Sequence, residues 1–187
     1  MIEIVPYRAE WPAEFQAIGA RMREALGPLA IAIHHIGSTA VPGLDAKDII
    51  DVQITVHDLE DPIAPGLATL GFIDAGRFQD HIPWGMKLDP REMEKRYFRA
   101  AREARTHLHV RSADRLNSRY PLICRDYLRS HRMAATAYAE VKRQLARRFA
   151  SDADSYYDIK DPVFDVMMSG GFEWAELTGW TVPPTDA

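Results

Sequence analysis

The chain has 187 residues, of which 47% are hydrophobic and 27% are charged, a composition typical of one soluble globular domain. Its formal net charge of −4 argues against tight nonspecific binding to nucleic acid, and its one cysteine, Cys124, excludes a disulfide framework and favours a reducing cytoplasm. The first residues lack the basic and apolar segments of a signal peptide, and no apolar run reaches the ~18 residues of a membrane span, so neither export nor membrane anchoring is expected.

The first part of the chain predicts a helix, a strand and a turn-rich loop. The helix runs from Pro12 to Leu26, because proline suits a first helical turn and the apolar residues that follow share one face. The β-rich segment 31–36 predicts a strand, and the run from Gly37 to Gly43 ends it with several turn residues.

A second strand is predicted over residues 49–56 from a strict alternation of side chains. Asp51 and Gln53 lie on one face of this strand, because side chains two apart point the same way. The opposite face is apolar and consists of Ile50, Val52, Ile54 and Val56. A carboxylate in so apolar a strand is costly to bury without a partner.

The middle of the chain predicts a helix within 58–70, a short strand with loops over 72–89, and then a hairpin. The hairpin strands are 96–100 and 106–110, and a polar loop over 101–105 joins them. In the second of these strands Leu108 and Val110 face the core, so His107 and His109 lie together on the other face.

The last third of the chain predicts three helices, because apolar residues recur there at helical spacing. A mixed sheet over about 29–111 followed by helices over about 113–176 is an α+β arrangement with an N-terminal flank helix. We expect a single domain over residues 1–178 and a tail over 179–187, of which residues 181–187 are frayed.

The loop after the first strand is a candidate phosphate site. Backbone amides at Gly37 and the hydroxyls of Ser38 or Thr39 can hold phosphate oxygens, and Lys47 can add a positive charge. A Gly-Ser pair is more often only a turn. No Gly-Lys-Ser/Thr sequence is present, which removes the P-loop signature of ATP binding.

Each of the two polar strand faces carries candidate metal ligands. Asp51 is either a working carboxylate or a structural one, at a solvent-facing position or paired with a residue such as Arg96. His107 and His109 suit a metal ion, a phosphate, or simply a hydrated sheet face. Because Gln53 is uncharged, a divalent ion would receive at most one carboxylate from its strand.

Two further features have structural interpretations. Cys124 lies near an apolar helical stripe and is expected to be structural. Four basic residues of the second C-terminal helix are expected to form a solvated face: Lys142, Arg143, Arg147 and Arg148.

The segment His35–Leu44, with the sequence HIGSTAVPGL, and the following Ala46–Asp51 resemble the signature of the GrpB family. The resemblance spans nearly the whole chain, and the KDIIDVQ form over 47–53 is similar to the GrpB-like domain fused behind some bacterial dephospho-coenzyme A kinases. The resemblance does not imply kinase activity for this chain, since the chain has no P-loop sequence. The resemblance extends to Val5–Tyr7, Trp11–Pro12, Leu108–Val110, Arg125–Arg129, Tyr138–Lys142, Tyr157 and Lys160.

The resemblance implies a nucleotidyltransferase fold of the DNA polymerase beta type. By that resemblance Gly37 and Ser38 match the pair that holds the triphosphate, and Asp51 matches the first metal-binding carboxylate. Gln53 stands where the second carboxylate is expected, and the strand containing His107 and His109 supplies no third acid. These departures disfavour ordinary two-metal nucleotidyl transfer, which needs anionic oxygens to hold two cations.

Our first hypothesis is a small nucleotidyltransferase-like enzyme that binds a nucleotide or another phosphorylated small molecule. Gly37, Ser38 and Thr39 would hold phosphate, and Lys160 or Arg96 would neutralise its charge. Mg²⁺ or another divalent ion would be bound by Asp51 with His107 or His109. The alternatives are a binding or accessory module without chemistry, linked to coenzyme A metabolism, and a scaffold without a ligand.

Overall fold

The protein is described by a computed structural model that covers residues 1–101 and 105–187. Its strands are β1 (Ala32–Ile36), β2 (Ile50–Val56), β3 (Phe72–Gln79), β4 (Glu94–Ala100) and β5 (Thr106–Ser112). Its α-helices are α1 (Trp11–Leu26), α2 (Ala64–Thr69), α3 (Leu116–Ser130), α4 (Arg132–Arg148) and α5 (Ala153–Leu177). The α+β class is therefore confirmed.

The five strands form one mixed sheet in the order β1-β2-β5-β4-β3. The β2–β5 pair is parallel and the other neighbours are antiparallel. In the parallel pair Asp51 lies opposite His107, and Gln53 lies opposite His109. The two predicted hairpin strands are antiparallel neighbours, as expected, although three residues of the loop between them, 102–104, lie outside the described residues.

One face of the sheet packs against α1 and α2 and forms the main core. The alternation in β2 is confirmed, because its four apolar side chains are fully buried on this face. Trp11, Phe15 and Met22 of α1 pack onto them. Burying each such side chain contributes about 1.5–3 kcal/mol. The C-terminal helices stand over the opposite face, where α3 contacts β1 and β5 and both α3 and α4 contact α5.

The middle of the chain holds one element that lies where it was expected and one that differs. Helix α2 lies in the latter part of the predicted segment 58–70: it has six residues and begins at Ala64, because the residues before it form a turn in which Asp58 accepts a hydrogen bond from the Glu60 amide. Strand β3 has eight residues and pairs along β4, with a bulge between Asp74 and Gly76, where a short strand was expected. None of the helices among the described residues is long and apolar enough to cross a membrane.

The tail is docked on the sheet, so the expectation that it is frayed is wrong. The Asp186 amide donates to Ile33 O at 3.0 Å, and the Asp186 carboxylate accepts from the His35 amide at 3.0 Å. The same carboxylate accepts from Arg125 at 2.7 Å. The physical reason is that β1 is an edge strand, whose outer N–H and C=O groups need partners.

Candidate functional site

A cavity of about 520 Å³ lies between the second face of the sheet and the C-terminal helices. It brings together all the predicted site residues except Gln53 and Arg96. These cavity-lining residues are Gly37, Ser38, Thr39, Lys47, Asp51, His107, His109 and Lys160. The loop after β1 and the polar face of β2 therefore open onto the same space.

Gly37 and Asp51 are in direct contact at the floor of the cavity. Pairing of β1 with β2 sets Ile36 opposite Asp51, so the turn that begins at Gly37 passes over the carboxylate. A Cβ atom at Gly37 would overlap Asp51 Oδ2 and lie 3.0 Å from Asp51 Cγ. Gly37 also has φ 72° and ψ −172°, a conformation essentially restricted to glycine.

Asp51, His107 and His109 form a compact cluster of potential metal ligands. Asp51 Oδ1 lies 3.2 Å from His107 Nδ1 and 3.7 Å from His109 Nε2. One ligand atom from each residue lies within 4.8 Å of the other two. One carboxylate and two imidazoles suit a transition-metal ion better than Mg²⁺, which prefers an all-oxygen environment.

The protonation states of this cluster suit a cation. Burial by itself raises the pKa of Asp51, but the adjacent imidazoles of His107 and His109 outweigh it and hold that pKa well below its usual range. Burial lowers the pKa of His109 to about 4, so its imidazole is neutral at pH 7, the form that binds metal. Its buried Nδ1 has no hydrogen-bond partner among the residues described.

Gln53 does not reach the cavity, which corrects its assignment to the substrate site. The side chain is fully buried, and its amide donates to Ser118 O at 2.8 Å and accepts from Arg111 Nη1 at 2.9 Å. Arg111 Nε also donates to Asp80 at 2.9 Å. Gln53 therefore joins the sheet to α3 through a satisfied buried network.

Arg96 also lies outside the cavity, because it faces the core side of the sheet with Phe98. Its guanidinium donates to Leu59 O at 3.0 Å and forms an ion pair with Asp74. The sequence interpretation failed here because the phase of β4 was not fixed by its pattern. Lys95, one residue earlier, lines the cavity.

Thr39 lines the cavity, but its hydroxyl is used within the fold. The side-chain oxygen donates to Ile49 O at 3.1 Å and lies 3.0 Å from His35 Nε2. His35 in turn stacks on Phe15, with ring centroids 4.7 Å apart. Thr39 thus fixes the loop after β1 rather than offering a free hydroxyl.

Lys142 is a cavity residue that the sequence interpretation missed. It is 4% exposed, and its Nζ donates to Ser38 Oγ at 2.8 Å and to Asp45 O at 2.6 Å. The expectation that this residue belongs to a solvated basic face is wrong. Its spacing from Tyr138 and Leu145, four residues before and three after, places it on the buried stripe of α4 and was the available signal.

Lys47 and Lys160 line the cavity beside aromatic rings of α5. Lys47 Nζ donates to Tyr157 Oη at 2.7 Å and lies 5.1 Å from the Tyr156 ring centre. Lys160 Nζ lies 5.4 Å from the ring centres of both Tyr157 and Phe164. It also forms an ion pair with Asp161.

The charges around the cavity differ in sign from the charge of the chain. Six lysine and arginine side chains and three carboxylates line it, a surplus of positive charge even when Lys142 is neutral, whereas the formal net charge of the whole chain is −4. The cationic residues are Lys47, Lys95, Arg111, Arg125, Lys142 and Lys160. Such a local surplus in a concave site favours an anionic ligand.

Several curated proteins are similar to this chain. It is 33% identical over 200 residues to a dephospho-CoA kinase of Mycolicibacterium paratuberculosis, covering 96% of this chain and 48% of that protein. It is 35% identical over 162 residues to UPF0157 protein YqkA of Bacillus subtilis, covering 86% of this chain and 44% of YqkA. It is 36% identical over 169 residues to UPF0157 protein PA4798 of Pseudomonas aeruginosa, covering 87% of this chain and 64% of PA4798. The chain thus spans about half the length of the first two.

Two solved structures share its fold. The crystal structure of conserved protein GrpB from Enterococcus faecalis superimposes with a TM-score of 0.76 at 26% identity, covering 92% of this chain and 98% of that one. A chain from the structure of the GLD-2/RNP-8 complex superimposes with a TM-score of 0.50 at 11% identity, covering 83% and 51% of the two chains. The expected nucleotidyltransferase-like fold is confirmed. The profile of the family described as GrpB protein matches residues 1–169, and the chain belongs to the GrpB family.

Proposed function

We propose that the cavity binds a phosphorylated small molecule, with a nucleotide as the leading class, together with one divalent cation. The observation that carries this proposal is the surplus of cationic side chains around a cavity whose floor presents the Asp51 carboxylate. Lysine ammonium groups bind phosphate oxygens as point charges, and a cation at Asp51 would bridge to the same phosphates. The lone Cys124 is consistent with a reducing cytoplasm as the working compartment.

Each group has a distinct part in this proposal. Asp51, His107 and His109 would hold the cation, which would polarise a phosphate oxygen. Lys47 and Lys160 would neutralise phosphate charge from the side of α5. Because these groups come from both the sheet and the helices, we propose that residues 1–178 act as one domain.

The experiment that tests the proposal is titration of the purified protein with Mn²⁺ and with nucleotides. Mn²⁺ should bind at one site, and Asp51→Asn should weaken that binding by at least about tenfold. Glu24→Gln, which changes an exposed carboxylate on α1, is the matched control and should leave binding unchanged. Equal Mn²⁺ affinity in the natural protein and Asp51→Asn would contradict the cation site.

Ligand binding is measured separately by thermal unfolding. A nucleotide at a hundred times its dissociation constant should add about 2.7 kcal/mol of stability. ATP, dephospho-coenzyme A and pyrophosphate, each with and without Mn²⁺, distinguish a nucleotide site from a simple phosphate site. If none of the three shifts the transition at millimolar concentration, the proposed ligand class is wrong.

A second candidate function is a binding or accessory module without chemistry, linked to coenzyme A metabolism. Gln53 favours it, because this residue supplies no second carboxylate and lies away from the cavity. The similarity to proteins named dephospho-CoA kinase supports the link to coenzyme A. Incubation with ATP labelled at its α or γ phosphate separates the candidates, since the module binds ATP but leaves both labels in place.

A further inference from the structure

Ser38 and Lys142 form a hydrogen-bonded pair in the wall of the cavity. Ser38 Oγ and Lys142 Nζ are 2.8 Å apart, and both residues line the cavity. Asp45 O accepts a second hydrogen bond from the same Nζ at 2.6 Å and so fixes the amine. A hydroxyl, a base within hydrogen-bond reach and a third group that orients the base are the signature of an activated nucleophile.

Within the part of the chain that the structure describes, Lys142 lacks the counter-ion that a buried ammonium normally has. Among residues 1–101 and 105–187, no carboxylate oxygen lies within 4 Å of its Nζ. The neighbouring Asp45 carboxylate is paired with Arg143 instead. Lys142 is 4% exposed, so the charged form of its unpaired amine is poorly solvated. This desolvation cost favours the neutral amine.

The surroundings of Lys142 support a neutral amine near pH 7. Burial is the largest influence and lowers the pKa of Lys142 to about 7. Lys160 on α5 and Arg143 on α4 act in the same direction, whereas the Asp45 carboxylate opposes it. Cys124 on α3 also faces the amine, but burial raises its pKa to about 12, so its thiol is neutral at pH 7. At neutral pH a large fraction of the amine can therefore accept a proton from Ser38.

We propose that Ser38 is a nucleophile, activated by Lys142, that accepts a phosphoryl group from a phosphate ester or anhydride bound in the cavity. The choice of a phosphoryl donor rests on the proposed function, since the lysine and arginine side chains around the cavity favour an anionic ligand. The role is distinct from holding phosphate, because the serine oxygen forms a covalent bond to phosphorus.

The proposed step balances in atoms and protons. Ser38 Oγ attacks phosphorus, the new O–P bond forms, and the bond from phosphorus to the leaving oxygen breaks. The hydroxyl proton passes to Lys142 Nζ and then to the leaving oxygen. A water molecule next attacks the phosphorus of the phosphoserine, which releases phosphate and restores the Ser38 hydroxyl. No oxidant or reductant is needed.

The test uses a fluorophosphonate probe, a phosphorus electrophile whose fluoride leaves when a nucleophilic serine attacks. Intact-mass measurement and peptide mapping should show one adduct, at Ser38. Ser38→Ala should abolish it, and Ser130→Ala, which removes an exposed serine of α3, should leave it unchanged. The labelling rate should rise with pH through about 7, as Lys142 loses its proton.

Two variants of Lys142 separate a base from a mere positive charge. Lys142→Arg keeps the charge, but a guanidinium does not deprotonate in this pH range, so labelling should fall by about 100-fold or more. The labelling rate of Lys142→Met should fall by the same factor. If Lys142→Arg labels as fast as the natural protein, Lys142 is not the base and the proposal is overturned.

The outcome is distinguishable from failure of the proposed function. Binding of ATP or pyrophosphate without an adduct at Ser38 would overturn this proposal and leave the proposed function standing. An adduct at Ser38 without any phosphate binding would support the reactive serine and contradict the proposed ligand class. Circular dichroism of each variant checks that a lost adduct does not come from unfolding.

Discussion

Gly37 and Asp51 contact each other so closely that the glycine has no room for a side chain. A Cβ atom at Gly37 would overlap Asp51 Oδ2. The contact joins the turn after β1 to the polar face of β2, and it places the backbone of Gly37 beside the Asp51 carboxylate of the metal-ligand cluster. The glycine is therefore needed for both its conformation and its small size.

Gly37→Ala should destabilise the fold and weaken cation binding. A positive φ alone costs about 1–2 kcal/mol for alanine, and displacement of Asp51 adds to that loss. The matched control is Gly43→Ala. Gly43 has φ 78° against 72° at Gly37, but apart from its chain neighbours no atom of the described residues lies within 4 Å of the new Cβ. Urea unfolding and Mn²⁺ titration measure the two effects. Equal losses in both variants would show that contact with Asp51 is unimportant.

Lys142 should make stability depend on pH above neutrality. Its folded-state pKa of about 7 lies below the usual 10.5, so the unfolded chain binds more protons between these values and stability rises with pH. The slope approaches about 1.4 kcal/mol per pH unit. Urea unfolding from pH 7 to 8 measures this slope before the Cys124 thiol of the unfolded chain is largely ionised. Lys142→Met should lack this slope, and an equal slope in both proteins would contradict the assignment.

Gln53→Glu should destabilise the protein without creating a second cation site. The new carboxylate keeps a partner in Arg111. It has no N–H to donate to Ser118 O, so two oxygen acceptors would face each other at a fully buried position. We expect the free energy of unfolding, measured in urea, to fall by about 1–3 kcal/mol. The variant should bind one Mn²⁺ ion, the same number as the natural protein. Gln79→Glu makes the same change where the amide donates to Pro90 O on the surface, and it should be nearly neutral. Two Mn²⁺ ions bound to Gln53→Glu would refute this expectation.

Asp186→Ala should weaken the fold although the residue lies in the tail. The change removes an acceptor from Arg125, whose guanidinium is buried, and leaves the edge-strand amide of His35 without its partner. The free energy of unfolding, measured in urea, should fall by about 1–3 kcal/mol. Thr181→Ala, at an exposed position of the same tail, should change stability by less than about 0.5 kcal/mol. If the two variants are equally stable, the docked tail contributes nothing.

The sequence predicted the order of the main elements because periodicity is a local property. The strict alternation in β2 fixed which of its side chains face the core, and it correctly set Asp51 apart from them. The same rule placed His107 and His109 on one face of β5. The tail is the exception, because composition alone does not show that an edge strand needs a partner.

The sequence by itself determined most of the strands, the helical third of the chain, the turn at Gly37 and the lone carboxylate of β2, since each follows from neighbours along the chain. Only the tertiary structure decided that Gln53 and Arg96 lie away from the cavity and that Lys142 lies in it. Those positions depend on which helix covers which face of the sheet. Lys142 reaches Ser38 across 104 positions of sequence, a contact that packing creates and that local spacing does not encode.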